Sequence, residues 1–333
     1  MGGMTLTVAS SVVVIGIIAC FLTHVTLGFA PCQRGSPVLP SNAAKKNKNI
    51  CMMMSEDFRP PEPRKFYVRP DNLGNIALAT PPTLLRLGSG VFMKGYEFSL
   101  QPIEEGDEGE YNFVRVNGRK LVEKGASMPR PELPLEIYEF ESCPFCKKVR
   151  EAAHIFDLDI LFYPCPKDGP TYRPKVMEMG GKAQFPYLVD PNTGVAMYES
   201  DDIIKYMADN YGDGKIPNSL QGVGSTITAG LGSIFRAGKG SKYVKASIPE
   251  QPLEFWGYEG SPFTKVVRER LVELELPHLY RTAARGSPTR QALKDRTGRF
   301  QVPYLEDPNT GVKMFESAEI VEYLDNTYMV SQQ

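Results

Sequence analysis

Hydrophobic positions between residues 135 and 210 change their period several times, and each change predicts a new element. An alternating run from Leu135 to Phe140 predicts a strand with Leu135, Ile137 and Glu139 on one side. Apolar residues at helical spacing then predict a helix with one buried face: Phe145, Val149, Ala152, Ala153 and Phe156. The pattern further predicts a strand at 161–165, a helix at 171–179, a hairpin of strands at 187–189 and 195–198, and a helix at 202–210. Ser200 and Asp201 are expected to cap the last helix.

The same pattern occurs a second time. LEIYEFESCPFCKKVRE from Leu135 returns as LEFWGYEGSPFTKVVRE from Leu253, an offset of 118, and FPYLVDPNTGVAMYES from Phe185 returns as VPYLEDPNTGVKMFES from Val302, an offset of 117. Aligned stretches of 25 residues agree at 10 and 14 positions, which marks an internal duplication. The order β, α, β, α, β, β, α in each copy predicts two tandem thioredoxin-like α/β sandwiches.

Composition limits the classes of function. The chain of 333 residues is 42% hydrophobic and 23% charged, which is typical of a globular protein of about two domains with extra segments. Its formal net charge is -1 and the repeats contain no dense basic run, which argues against nucleic acid as a partner. Six cysteines are too few and too scattered for a disulfide framework, and a CxxC beside a βαβ pattern indicates a redox pair in a reducing compartment.

The N-terminus has the composition of a targeting segment. Residues 11–22 are an apolar run of 12, which is short for a membrane span and suits a signal peptide. Phe29 follows between small residues, and the stretch from there to Cys51 carries four basic residues and no acidic one. This arrangement resembles the bipartite presequence of plastid proteins in algae with secondary plastids, although the first residues lack a basic region. We expect residues 1–54 to be this presequence, with a secretory signal or a membrane anchor as the alternatives.

The remaining chain divides into four parts. Residues 55–133 are Pro-rich and irregular, apart from a hairpin predicted about Asn117-Gly118. The two repeated units occupy 134–212 and 252–330. Residues 213–251 link them, and five glycines within 219–238 argue against a stable helix there. A packed or flexible connector is the interpretation that the sequence favours, and contact with a membrane surface is the alternative.

The first unit carries the candidate chemistry. A CxxC where a strand meets a helix places its first sulfur at the helix start, where unpaired amides and the helix dipole favour a thiolate, and its second sulfur one turn inside. Cys143 is therefore the predicted nucleophile and Cys146 the resolving thiol. Lys147 and Lys148 add positive charge nearby or form a solvated helix face. His154 is expected on the exposed side of the helix, and Cys165 is expected to be a small buried residue.

A zinc site is the alternative for a CxxC, but a second pair at ligand spacing is missing from the sequence. Neither His24, His154 nor His278 completes a ligand set. We therefore expect redox chemistry and no metal.

The CPFC, the Phe185-Pro186 step and the Glu199-Ser200 pair, in this order, resemble the glutaredoxin and glutathione S-transferase N-terminal family. The span from about residue 82 to 328 is similar to plant and algal plastid proteins with two tandem domains of this kind. The resemblance implies glutathione as co-substrate, with a cis proline whose predecessor binds its cysteinyl part, and the Glu-Ser pair holding its γ-glutamyl group. Lys182 or Gln184 would contact its glycine carboxylate.

The second unit keeps the outline of the site without its sulfurs. Ser261 and Thr264 stand where the first unit has cysteines, so disulfide exchange is unavailable there. We call the residues that the resemblance places around glutathione the glutathione frame. Its equivalents in the second unit persist: Val302, Pro303, Glu316 and Ser317. One hypothesis is that Ser261 stabilises a bound glutathione thiolate. The other, which the sequence favours, is a structural or docking domain.

These features predict a glutaredoxin-like thiol-disulfide oxidoreductase acting through the first unit. Its partners would be glutathione and protein disulfides or glutathionylated proteins. A non-enzymatic redox-sensing or glutathione-binding scaffold is the alternative. A glutathione transferase is less well supported, because that family builds its electrophile pocket from a helical domain for which the sequence offers no counterpart.

Overall fold

A computed structural model describes residues 58–64, 67–86, 88–107 and 109–330. The targeting segment predicted over residues 1–54 lies outside these ranges. From Pro60 onward the chain forms one compact unit. No helix in the described ranges is both long and apolar enough to span a bilayer.

The chain order of elements matches the duplicated pattern. Ahead of the first unit lie α1 (Leu73–Ala79), α2 (Pro81–Leu85), β1 (Glu97–Pro102), β2 (Arg115–Val116) and β3 (Arg119–Lys124). The first unit comprises β4 (Leu135–Glu139), α3 (Pro144–Ile155), β5 (Ile160–Pro164), α4 (Tyr172–Gly180), β6 (Tyr187–Asp190), β7 (Val195–Met197) and α5 (Ser200–Tyr211). The connector contains α6 (Gly222–Ile234). The second unit comprises β8 (Leu253–Gly257), α7 (Pro262–Glu273), β9 (His278–Thr282), α8 (Thr289–Thr297), β10 (Tyr304–Glu306), β11 (Lys313–Phe315) and α9 (Ser317–Tyr328). The predicted fold class, with two tandem βαβαββα units, is confirmed.

The two units share one sheet, which the sequence did not predict. Its eight strands run in the order β11-β10-β8-β9-β5-β4-β6-β7. The strands β5 and β9 join the halves by antiparallel pairing, and Leu161 lies opposite Leu279, its own counterpart at the offset of 118. The joint therefore has the geometry of a two-fold symmetric dimer interface inside one chain. Each unit alone would expose an edge strand, and the pairing of β5 with β9 covers both of these edges.

Buried charges cross the joint between the units. The carboxylate of Glu141 accepts hydrogen bonds from Arg268 at 2.5 Å and from Lys265 at 2.6 Å. The equivalent carboxylate, Glu259, accepts one from Lys147 at 3.4 Å. It also lies 3.6 Å from the guanidinium of Arg150. All these side chains are almost fully buried. Buried charges are costly unless paired, so the pairing fixes how the two units meet.

The duplication extends to the segments ahead of each unit. Arg86 pairs with Glu151 in α3 and donates to a backbone carbonyl of the connector helix α6. Arg236, 150 residues later, pairs with Glu269 in α7 and donates to a carbonyl of α1. Each leading segment thus packs against the leading segment of the other copy as well as its own unit.

The difference between the two offsets locates an insertion. Equivalent residues are 150 apart before Lys94 and 118 apart from Leu135 onward, so the first copy contains 32 additional residues between them. The three-stranded sheet β1-β3-β2 lies there. It contains the predicted hairpin, with positive φ of 49° at Asn117 and 72° at Gly118, as a type I′ turn requires. The third strand and the helices α1 and α2 were not predicted.

The connector corrects one expectation. Residues 222–234 form a continuous helix, α6, despite the glycines that argued against it. Tertiary packing overrides the weak propensity, because small residues allow a close approach: a Cβ on Gly232 would lie 3.1 Å from the Cβ of Pro82. The connector is therefore packed along part of its length.

The cap predicted for the last helix of the first unit is also wrong. Glu199 is the N-cap residue of α5, and Ser200 is its first helical residue. No side chain caps this helix start in the structure. The helix begins two residues earlier than expected, directly after Glu199, whose positive φ of 66° ends the preceding loop sharply.

Candidate functional site

Cys143 lies at the start of helix α3. It is the N-cap residue, with extended backbone angles, and its sulfur accepts a hydrogen bond from the backbone N–H of Cys146 at 3.3 Å. Pro144 occupies the first helical position, where a missing N–H costs nothing. The sequence therefore builds a helix start whose cap is a sulfur atom.

The two thiols of the pair differ in acidity. Hydrogen bonding from Cys146 lowers the pKa of Cys143 below its usual range, against the opposing effect of burial. Burial raises the pKa of Cys146 well above its usual range. The first sulfur is thus favoured as a thiolate and the second as a thiol.

The proline bend stands beside the first sulfur. The Phe185-Pro186 peptide bond is cis, and the carbonyl oxygen of Phe185 lies 3.9 Å from the sulfur of Cys143. Phe140 packs edge-on against Phe185. Cys143 keeps only 5% of its surface exposed within this aromatic surrounding.

The other predicted frame residues gather at the start of α5. Glu199 is exposed and accepts a hydrogen bond from the side-chain amide of Gln184 at 2.6 Å. Ser200 is buried at the first helical position. The backbone carbonyl of Lys182 accepts from Tyr198, and its ammonium lies 5.5 Å from the centre of that ring. An ion pair between Lys148 and Asp201 ties this helix start to α3.

A buried carboxylate that the sequence analysis did not assign acts electrostatically on both sulfurs. Glu139 ends strand β4 and is 1% exposed. One carboxylate oxygen pairs with Arg150, and the other is a buried atom with no hydrogen-bond partner among the described residues. Burial raises the pKa of Glu139. Its charge opposes the lowering of the Cys143 pKa by hydrogen bonding and adds to the raising of the Cys146 pKa by burial. A signal was present in the sequence: Glu139 shares the inward side of the strand with Leu135 and Ile137.

The direction of a side chain at this position is visible in the second unit. Gly257 is the counterpart of Glu139, and a Cβ built on it would lie 2.5 Å from Cγ2 and 2.9 Å from Oγ1 of Thr264. Thr264 is the counterpart of Cys146. By the repeat, the Cβ of Glu139 is directed towards Cys146.

The basic residues of helix α3 are not a solvated face, and this alternative is wrong. Lys147 and Lys148 are buried and pair with Glu259 and Asp201. His154 is also buried, contrary to expectation, because the second unit covers it: its ring lies 5.2 Å from that of Tyr280. Burial lowers the pKa of His154 to about 4, so the imidazole is neutral near pH 7.

Cys165 is fully buried, as expected, and burial raises the pKa of its thiol well above its usual range. Arg173 is a second residue that the sequence analysis missed. Its guanidinium lies 4.7 Å from the ring centre of Phe185, and its Nε donates to the carbonyl of Pro166 at 2.6 Å. It places a positive charge on the aromatic wall beside the proline bend.

The second unit repeats the geometry of the helix start with hydroxyl groups. Ser261 is the N-cap residue of α7, and its oxygen accepts the N–H of Thr264 at 3.2 Å. The Val302-Pro303 bond is also cis. The backbone at Glu316, before Ser317, has a positive φ of 71°, close to that of its counterpart Glu199.

The frame of the second unit is covered by the chain itself. The carboxylate of Glu316 accepts the backbone N–H of Arg64 at 2.8 Å, as well as the amide of Gln301 at 2.8 Å. Arg299 also donates to the carbonyl of Pro63 at 3.1 Å. The segment 60–64 thus supplies a hydrogen-bond donor to Glu316. The equivalent Glu199 of the first unit is exposed to solvent instead.

The described ranges contain no group of three or more histidine, cysteine or acidic side chains arranged to hold a metal ion. Cys143, Cys146 and Cys165 are all free thiols.

Comparison with known proteins identifies the repeated unit. A family model described as the glutathione S-transferase N-terminal domain matches residues 137–215 and 255–331. No curated protein matches the chain. Two solved structures of a glutathione transferase from Bombyx mori, one of them a complex with GTT, are 25% and 23% identical, with TM-scores of 0.23 and 0.22. Each match covers 25% of this chain, which spans 39% and 38% of those chains.

The matched segments coincide with the two βαβαββα units and include the CPFC of the first and the SPFT of the second. Such domains indicate a function related to glutathione. The chain therefore contains two tandem glutathione S-transferase N-terminal domains with the thioredoxin-like fold.

Proposed function

We propose that the protein is a glutathione-linked thiol-disulfide oxidoreductase whose chemistry resides in the first unit. The observation that carries the proposal is the cap of helix α3: the sulfur of Cys143 accepts the N–H of Cys146 and has a lowered pKa. Thiolates are the reactive form in disulfide exchange, so this arrangement supports Cys143 as the nucleophile.

The exchange proceeds in two balanced steps. The thiolate of Cys143 attacks one sulfur of a substrate disulfide, which forms a mixed disulfide and releases the other sulfur as a thiolate that takes up a proton. Cys146 then loses its proton and attacks the sulfur of Cys143, which releases the second substrate thiol and leaves a Cys143–Cys146 disulfide. Two glutathione molecules reduce this disulfide and become oxidised glutathione, so two electrons pass from glutathione to the substrate.

We propose that Glu139 accepts the proton that Cys146 loses in the second step. Its charge acts on that thiol, the equivalent position of the second unit faces the counterpart of Cys146, and one carboxylate oxygen of Glu139 is buried with no partner among the described residues. Burial raises the pKa of Glu139, which makes its carboxylate a stronger base than an exposed one and suits it to accept a proton.

The loop and helix start beside the sulfur are suited to glutathione. The cis bend at Phe185-Pro186 presents a backbone carbonyl near Cys143, where the cysteinyl part of the tripeptide would align. The exposed carboxylate of Glu199 can receive the ammonium of the γ-glutamyl group, and the uncapped start of α5 at Ser200 can receive its carboxylate. Lys182, exposed on the same loop, is the candidate for the glycine carboxylate.

The test measures the glutathione-dependent reduction of a small disulfide. The oxidised glutathione that forms is detected by coupling its reduction to glutathione reductase. Cys143→Ser should abolish the activity. Cys146→Ser should keep part of the activity on a glutathionylated peptide, because glutathione can resolve that mixed disulfide. Ser261→Ala, at the equivalent position of the second unit, is the matched control and should leave the rate unchanged. Wild-type activity in Cys143→Ser would refute the proposal.

A redox-sensing scaffold is the second candidate, and the low exposure of Cys143 favours it. In that case the Cys143–Cys146 disulfide would form on oxidation, but the protein would not turn over with glutathione. The same assay separates the two, since the scaffold gives no catalytic rate with the wild-type protein.

We also propose a plastid location, on the composition of residues 1–54 alone. Fusing these residues to a fluorescent protein in an alga with secondary plastids should direct it into the plastid. Fluorescence confined to the secretory pathway would contradict this.

A further inference from the structure

The connector helix α6 turns its large apolar residues towards solvent. Val223, Ile227, Leu231 and Ile234 follow the spacing of a single helix face, and they are exposed by 76%, 56%, 42% and 71%. Phe235, immediately after the helix, is 45% exposed. We call these five residues the α6 stripe.

The inward face of the same helix is made of small residues. Ser225, Ala229 and Gly232 are buried against the protein. This distribution is the reverse of that in a surface helix of a soluble domain, which buries its large apolar residues. The part of the chain that the structure describes therefore leaves a contiguous apolar strip exposed, and such strips mark interaction surfaces.

Charge indicates what covers the stripe. The chain has no aspartate or glutamate from Gly214 to Pro249. Three lysines follow the helix within this stretch and are exposed: Lys239, Lys242 and Lys245. An apolar helix face that is followed in the chain by exposed basic side chains, with no acidic residue in the segment, has the chemistry that binds at the surface of an anionic bilayer.

The stripe belongs to the same region as the thiol pair. The hydroxyl of Ser233 donates to the carbonyl of Ser142 at 2.8 Å, and a Cβ on Gly230 would lie 3.8 Å from the Cβ of Pro144. Phe145, which follows in the CPFC, is 48% exposed. Whatever the stripe binds is brought next to the loop that holds Cys143.

We propose that the α6 stripe docks on the surface of a membrane that contains anionic lipids, with the helix lying in the interface. The inward face of α6 is packed, and its exposed face would make the membrane contact that the sequence left as the alternative. The proposal stands without the thiol chemistry. It adds that substrates of the first unit are met at a membrane surface.

The test uses the full chain with a local reporter, because the apolar run at residues 11–22 can itself bind lipid. Trp256 is the only tryptophan and is 5% exposed, so its emission is a constant background. Leu231→Trp adds a reporter on the stripe. Leu100→Trp, on a 57% exposed leucine of the three-stranded sheet, is the matched control. Vesicles of phosphatidylcholine alone and vesicles with added phosphatidylglycerol serve as the two surfaces.

The reporter at position 231 should shift to shorter wavelength with the anionic vesicles, less with the neutral ones, and less again at high salt, while the control does not shift. Replacing Val223, Ile227 and Ile234 together by serine should weaken this vesicle binding at least tenfold, with an unchanged melting temperature because these side chains are exposed. No shift at position 231, or an equal shift in both reporters, would overturn the proposal. A shift that grows with protein concentration in the absence of lipid would overturn it in favour of a second copy of the chain.

Discussion

The two units of this protein have the same order of strands and helices and differ in the chemistry at the start of one helix. The first unit has Glu139, Cys143 and Cys146, whereas the second has glycine, serine and threonine at the equivalent positions. The helix cap, the cis proline and the positive φ before the last helix are present in both. The difference teaches that the buried carboxylate accompanies the sulfurs and is not needed by the fold. The shared features are those that the fold itself supports.

The largest effect is expected from exchanging the chemistry of the two units. Cys143→Ser with Cys146→Thr replaces the two sulfurs of the first unit by the hydroxyl groups of the second and should lower the glutathione-dependent reductase rate at least a thousandfold. Adding Ser261→Cys and Thr264→Cys to that variant should restore less than about a hundredth of the original rate. The second unit would regain sulfurs without a counterpart of Glu139, and its Glu316 is engaged by Arg64. Full recovery of the rate would show that the sulfurs alone make the difference.

The joint between the units should show the next largest effect, measured as stability. Arg268→Met leaves Glu141 and Glu259 buried with one partner fewer, and loss of one member of a buried charge network costs about 3–5 kcal/mol of unfolding free energy. Thermal or denaturant unfolding measures this. Lys205→Met is the control, because its pair with Asp209 is exposed and contributes less than about 1 kcal/mol. Equal stability of both variants would mean that the charge network does not hold the units together.

This joint also shows where sequence reasoning stops. Periodicity predicted the order of strands and helices within each unit, because those patterns depend on one core. The solvated-face alternative for Lys147 and Lys148 and the exposed side assigned to His154 are wrong: for Lys147 and His154 because each unit was considered alone, and for Lys148 because the packing of the last helix of its own unit was not considered. In the folded chain the second unit covers Lys147 and His154, and helix α5 lies over Lys148.

The candidate site shows the same limit on a smaller scale. Cys143 and Cys146 follow from a local motif, and the proline bend follows from the resemblance. The contact between Arg64 and Glu316 joins residues that are 252 positions apart, and no local sequence pattern predicts it. Glu139 had a signal, a carboxylate on the inward side of a strand, but its meaning depends on Arg150 taking only one of its oxygens.

A smaller effect is expected from removing the charge of Glu139. Because that charge raises the pKa of Cys143, Glu139→Gln should move the thiolate titration of Cys143 to lower pH. The thiolate would then persist to a lower pH than in the wild type. Resolution of the mixed disulfide should slow several-fold, since the acceptor for the Cys146 proton is gone.

Thiolate absorbance against pH and trapping of the mixed disulfide measure these two changes. Glu136→Gln, on the opposite side of the same strand, is the control. A titration of Cys143 that stays where it is in Glu139→Gln would remove Glu139 from the mechanism.

The smallest expected effect concerns glutathione at the second unit, where the chain covers its own frame. Arg64→Pro removes the backbone N–H that Glu316 accepts, whereas Arg64→Ala keeps it and serves as the control. Titration calorimetry should find one glutathione site in the wild type and in Arg64→Ala, and a second, weaker site in Arg64→Pro. The second site should disappear again when Glu316→Gln is added, because the γ-glutamyl ammonium would lose its carboxylate. If Arg64→Pro binds one glutathione like the control, the second unit has lost the ligand as well as the sulfurs, and its frame serves only to shape the fold.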